Sequence, residues 1–110
     1  MRATPHLPGP VERELKRIGF GIKTARLRRN MSQQELADRV GASILTIRAV
    51  EEGKAGTAVG SYIHALWVLG LIETLSSVAD PSLDAEGLVL EGADRRRKGG
   101  RRTYRVSDDF

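Results

Sequence analysis

The chain has 110 residues and a net charge of +4, enough length for one domain with tails and a charge that suits a polyanionic partner without specifying one. It contains no cysteine, which excludes a disulfide scaffold, a thiolate metal site and a Cys nucleophile. Pro5, Pro8 and Pro10 break the first ten residues where a leader needs an apolar run, and no apolar stretch has membrane-spanning length, so the chain reads as cytoplasmic with no membrane partner.

Residues 1–10 read as a flexible arm, and Arg2 within it as a solvated terminus. From Val11 to about Asn30 the pattern turns helical. Leu15, Ile18, Ile22 and Ala25 recur at three- and four-residue steps, with Arg13, Lys16, Arg17, Lys23, Arg28 and Arg29 on other faces. Gly19 and Gly21 each weaken such a helix by up to about 1 kcal/mol relative to Ala, and Gly19-Phe20-Gly21 is a candidate junction between an extension and the domain.

The most ordered pattern follows. Ser32 is a good N-cap and Glu35 stands three residues later, the capping-box arrangement. Leu36, Ala37 and Val40 fall on one face, and Gly41 is free to take the positive φ that ends the helix. Ser43 caps a second helix whose Ile47 and Val50 face the same core, and Gly53 closes it. Two short helices joined by a tight Gly-containing turn make a helix-turn-helix.

Beyond Gly53, Thr57 is the best available cap for a further helix, with Ser61 the alternative. Ile63, Leu66, Trp67 and Leu69 trace that fourth helix. Leu71, Ile72, Leu75 and Val78 predict a fifth, stopped at Asp80-Pro81. The fourth is apolar nearly all round, which calls for burial on both sides; in a domain this small a second copy is the simplest cover, so Trp67, Leu71 and Leu75 are assigned to a homodimer interface. Residues 81–110 form a charged tail, open to a short strand or a partner-binding segment. Leu88-Val89-Leu90 fits either strand or helix, and Thr103-Tyr104-Arg105-Val106 alternates like a strand. The window 95–105 holds seven positive and no negative residues between acidic flanks, a pattern of interaction arms.

The run Ser32-Gln33-x-Glu35-Leu36-Ala37, then Gly41-x-Ser43, Ile47 and Glu51-x-Gly53-Lys54, resembles the Cro/repressor-like (Xre-type) helix-turn-helix family of bacterial and phage transcription regulators, from about Ile18 to Asp80. The resemblance implies an all-α, five-helix lambda-repressor-like DNA-binding domain over residues 11–80. It also implies an ion pair between Arg26 and Glu51 that fixes the first helix to the recognition helix, and base contacts from Ser43, Ile44, Leu45, Arg48 and Ala49. Many relatives place Gln, Arg or Asn at these positions. Here Ile44, Leu45 and Ala49 have no hydrogen-bonding group, so they suit thymine methyls while Arg48 suits guanine O6 and N7. A more limited resemblance, over Leu69–Leu75 and Ala79-Asp80-Pro81 with the basic tail, is to antitoxins that pair with HipA-type kinase toxins.

Residue type and position assign the phosphate contacts. Ser32 and Gln33 stand at a helix N-terminus, where free N–H groups favour an anion; Arg28, Arg29 and Lys54 supply charge at helix ends. The bland alternative for each is a solvated side chain. His6 in the arm and His64 on an apolar helix make neither a catalytic pair nor a metal set, so no catalytic residue, metal or cofactor is assigned. The leading expectation is a homodimeric repressor on a palindromic operator in double-stranded DNA, with a HipA-type kinase toxin as a further partner. The rival is a protein-interaction adaptor that keeps the helical scaffold without reading DNA.

Overall fold

The computed structural model describes residues 6–97. They form five α-helices: α1 (Gly9–Arg28), α2 (Gln33–Val40), α3 (Ile44–Glu51), α4 (Val59–Val68) and α5 (Ala85–Arg97). Short 3-10 turns lie at Ile72–Leu75 and Pro81–Leu83. There is no strand among the described residues, and none of their helices is long and apolar enough to cross a membrane. The chain divides into two compact units, one ending at Thr74 and one starting at Leu75.

In the first unit α1 packs on α3 and α4, and α2 packs on both α3 and α4. The core is made by Ile22 and Ala25 of α1, Leu36, Ala37 and Val40 of α2, Ile47 and Val50 of α3, and Tyr62, Ala65, Leu66 and Leu69 around α4, with Met31 between α1 and α2. Ile22, Leu36, Ile47 and Val50 have no exposed surface, and each contributes about 1.5–3 kcal/mol by leaving water. These are the residues whose helical spacing marks an inward face.

The first helix runs unbroken through Gly19-Phe20-Gly21, so the expected junction there is absent. It begins two residues before Val11 because a proline suits the first turn, where its missing N–H has no helical partner. Asn30, at φ 53°, turns the chain out of it. The reason for glycine at 19 is contact. A Cβ there would stand 2.8 Å from the Glu51 carbonyl oxygen and 2.9 Å from the Gly53 nitrogen. Gly53 meets α1 in the same way: its own Cβ would lie 2.7 Å from the Leu15 oxygen, and its φ of 72° already favours glycine. The backbones of α1 and the end of α3 therefore touch directly.

Two local expectations change. The N-cap of α4 is Ala58, with no side-chain cap, rather than Thr57 or Ser61. The chain before it is instead closed by the Thr57 N–H on the Lys54 oxygen at 3.3 Å and by the Tyr62 hydroxyl, which donates to that same oxygen at 2.8 Å. The fifth α-helix is not the one expected over Leu71–Val78. There the hydrogen bonds run over three residues, as from Val78 N–H to Leu75 O at 2.9 Å, and Ala79 has φ 56°, so the chain makes 3-10 and single turns.

The second unit carries α5 instead. Asp80 accepts from the Ser82 N–H at 2.9 Å, and Asp84 accepts from the Gly87 N–H at 2.9 Å, satisfying a donor in the first turn of α5. Leu88-Val89-Leu90, open to strand or helix in the sequence, lies in this helix. Expectations for Arg2 and for a strand at Thr103–Val106 fall outside the described residues.

Candidate nucleic-acid interface

Three caps set the two helices of the motif. The Ser32 hydroxyl accepts from the Glu35 N–H at 3.0 Å and the Glu35 carboxylate accepts from the Ser32 N–H at 3.2 Å. Gly41 takes φ 76°, and its N–H and that of Ala42 both close on the Ala37 oxygen, at 2.8 and 2.9 Å. The Ser43 hydroxyl then accepts from the Thr46 N–H at 3.1 Å and starts α3.

These caps fix how α3 is rotated. Ile47, Val50 and Glu51 face inward and are buried. Ser43, Leu45 and Arg48 face water, Leu45 with 69% of its surface exposed, while Ile44 and Ala49 are half-buried at the margins. The five residues expected at base edges are thus brought onto one side of one helix. Ser43 spends its hydroxyl on the cap and on Thr46 Oγ1 at 3.0 Å. Arg48 is left as the one long hydrogen-bonding side chain of that set.

Behind this face sits a buried ion pair. Arg26 Nε donates to Glu51 Oε2 at 2.6 Å and Arg26 Nη2 to Glu51 Oε1 at 3.0 Å, a two-point contact between α1 and the last residue of α3. Arg26 Nη1 donates to the Met31 oxygen at 2.8 Å. Both residues are under a tenth exposed, and no buried side-chain nitrogen or oxygen among the described residues lacks a partner. Burying two charges is offset only when their remaining hydrogen-bonding capacity is also satisfied, and the Met31 carbonyl helps to do that.

Gln33 completes the set. Its Nε2 donates to Glu51 Oε1 at 3.0 Å, and its Oε1 accepts from Arg48 Nε at 3.4 Å. The expected phosphate contacts are less gathered. Ser32 is exposed at the start of α2, while Arg28 and Arg29 are exposed at the end of α1, Arg29 donating back to the Ala25 oxygen at 2.8 Å. Lys54 lies just past α3, 3.6 Å from Glu52 across an exposed pair.

Of the residues expected at a dimer interface, Trp67 is 60% exposed, with the His64 ring 5.8 Å away and tilted. Val59 and Ile63 are exposed at four-residue steps before it on α4. Leu71 and Leu75 are half-buried. His6 lies at a cleft of about 390 Å³ beside Lys16 and Lys54. No group of three His, Asp or Glu among the described residues is placed to hold a metal ion.

Two contacts that hold the site escaped the sequence pattern. Tyr62 ties the loop after α3 to α4 through Lys54 O, and burial pushes its hydroxyl above the ordinary tyrosine range. The double use of Gln33 is the other. Its position at the start of α2 suggested a phosphate, and no periodicity reports a bond to a residue fifteen positions on.

Fold and site together define a helix-turn-helix domain. Residues 22–59, from Ile22 in α1 to Val59 at the start of α4, match the helix-turn-helix family model, a DNA-binding class to which Cro/repressor-type regulators are assigned. No curated protein and no solved structure matches the chain.

Proposed function

We propose that the protein is a transcriptional regulator, a repressor that binds a palindromic operator in double-stranded DNA as a homodimer in the cytoplasm, with no catalytic step. The observation that carries this reading is the rotation of α3. Leu45 and Arg48 point to water while Ile47, Val50 and Glu51 anchor the helix from behind. A recognition helix so held enters the major groove with its first residues at base edges. Arg48 suits the acceptors of guanine, and Leu45, with Ile44 and Ala49 beside it, suits the thymine methyl. Arg28, Arg29, Lys54 and the start of α2 at Ser32 supply phosphate contacts.

A dimer places two such helices about 34 Å apart, one turn of DNA. The apolar line of Val59, Ile63 and Trp67 on α4 supports a second copy as its cover, since large exposed apolar patches mark interaction sites. The exposed Leu88, Val89 and Leu90 of α5 favour a further protein partner, for which a HipA-type kinase toxin is the candidate from the sequence.

The test is selection of duplexes from a randomised pool by the full chain, followed by affinity measurements across salt. The logarithm of the binding constant is expected to fall linearly with the logarithm of salt as counterions are released. Arg48→Ala with Leu45→Ala should lose preference among sequences. A flat salt response, or unchanged retention of DNA by Arg48→Ala with Lys54→Ala, supports the adaptor reading instead.

A further inference from the structure

We propose that the arginine-rich end of α5, with the basic run that continues it in sequence, is a second DNA contact. It grips phosphates without reading bases and supplies the long-range attraction that brings the chain to DNA. The inference rests on the DNA-binding reading and deepens it.

The distribution of charge carries the argument. The window 95–105 holds seven cations and no acid, while the whole chain is only +4. The rest of the chain is therefore net negative. The cations around α3 suit close contacts, but a chain without this window would approach a phosphate backbone against its own summed field. Steering toward a polyanion depends on that sum, so it falls to residues 95–105.

Arg95, Arg96 and Arg97 make the last turn of α5 and are exposed. At 3.6 residues per turn they fan around more than half of the helix axis, so no single neighbour can take all three. Arg95 donates to the Glu91 carboxylate one turn back, a surface pair of the weak kind that a phosphate can replace. A helix end does attract cations through its dipole, but that effect is confined to the last turn. Lys98, Arg101, Arg102 and Arg105 extend the run across 95–105, beyond what one helix end can use. Six of the seven cations are arginine, whose planar fork matches two phosphate oxygens where lysine offers a point charge. Such contacts position a protein on a duplex and carry no sequence information.

The experiment compares the wild-type chain with a variant carrying Arg96→Gln, Arg97→Gln, Arg101→Gln and Arg102→Gln, which leaves the Glu91–Arg95 pair in place. Both bind a duplex enriched by the wild type and a shuffled duplex of equal length, across salt. Each neutralised phosphate contributes about 0.9 to the slope of log affinity against log salt, so the variant's slope should be shallower by about two to four per bound chain. Affinity for both duplexes should drop by the same factor, about tenfold or more at low salt, and the association rate should fall with it. The ratio between the two duplexes should not change. The lysine set Arg96→Lys, Arg97→Lys, Arg101→Lys and Arg102→Lys keeps the charge and should restore slope and rate. Arg101→Gln with Arg102→Gln alone should give about half the change in slope, and serves if the four-site variant folds poorly.

An unchanged slope in both glutamine variants overturns the proposal and leaves the regulator reading standing. A loss of preference between the duplexes at unchanged slope also overturns it, since the run would then read bases. A wild-type chain that enriches no sequence but retains DNA, with the slope still falling in the variants, removes the operator reading and keeps this contact. One that retains no duplex at low salt removes both.

Discussion

The helices before Thr74 and the helix after Leu75 are held by different means. In the first unit every helix sends side chains into a shared core, and the four largest with no exposed surface come from α1, α2 and α3. In residues 75–97 no side chain is buried; Leu83, Leu88, Val89 and Leu90 are each more than half exposed. Among the described residues, the contacts seen there include Asp80 on Ser82, Asp84 on Gly87, and a Glu91–Arg95 pair one turn apart, all of them local. A helix as short as α5 is marginal in water on such terms alone. The comparison separates a region whose shape is set by burial from one set by caps and neighbouring charges, which is the kind of segment that a partner can complete.

The largest expected effect strikes the buried network of the first unit. Glu51→Ala strands the Arg26 guanidinium in the core and should cost about 3–5 kcal/mol, read by chemical denaturation. A loss under about 1 kcal/mol would mean that the pair is wetter than its burial indicates.

Next comes a matched pair of glycines in α1. Gly19→Ala drives a methyl into the backbone of Glu51 and Gly53 and should cost about 1–3 kcal/mol or more. Gly21→Ala meets nothing within 4 Å and should gain up to about 1 kcal/mol from helix propensity. The two melting temperatures should move in opposite directions; movement in the same direction would break the account of α1 against α3.

In the second unit the same kind of change should be almost silent. Leu88→Ala and Val89→Ala are expected to alter unfolding free energy by no more than about 0.5 kcal/mol each. A larger loss would show that α5 depends on burial after all.

The smallest effect is a titration. Hydrogen bonds from the Ser82 N–H and then the Ser82 hydroxyl lower the Asp80 carboxyl below the ordinary aspartate value of 3.8. Its folded value is depressed, so whatever it contributes is present above the unfolded value and is lost as pH falls through the folded one. The Ser82 amide resonance should therefore shift at a pH below 3.8, and a midpoint above it would contradict the contact.

The legible parts of the chain were those where residue type and local geometry agree. Ser32 with Glu35, Gly41, Ser43 and the inward pair Ile47 and Val50 could be read directly, because a cap and its helix lie within a few residues of each other. The stretch after Gly70 misled, since Leu71, Ile72, Leu75 and Val78 have helical spacing, yet hydrogen bonds over three residues and the φ of Ala79 give turns. Leu88-Val89-Leu90 could not be placed because three consecutive apolar residues carry neither period. The Gln33 bridge and the fit of Gly19 against Gly53 were invisible for a different reason: both depend on segments far apart in sequence meeting at a set distance.

That direct meeting of backbones has a bearing on how such a chain diversifies. Where Gly19 and Gly53 meet the facing backbone, no side chain stands between α1 and the end of α3, so their separation at that point does not depend on the volume of an interchangeable residue. Leu45 and Arg48 can therefore vary freely while the frame that presents them keeps its dimensions, so new target sequences become accessible without a new scaffold.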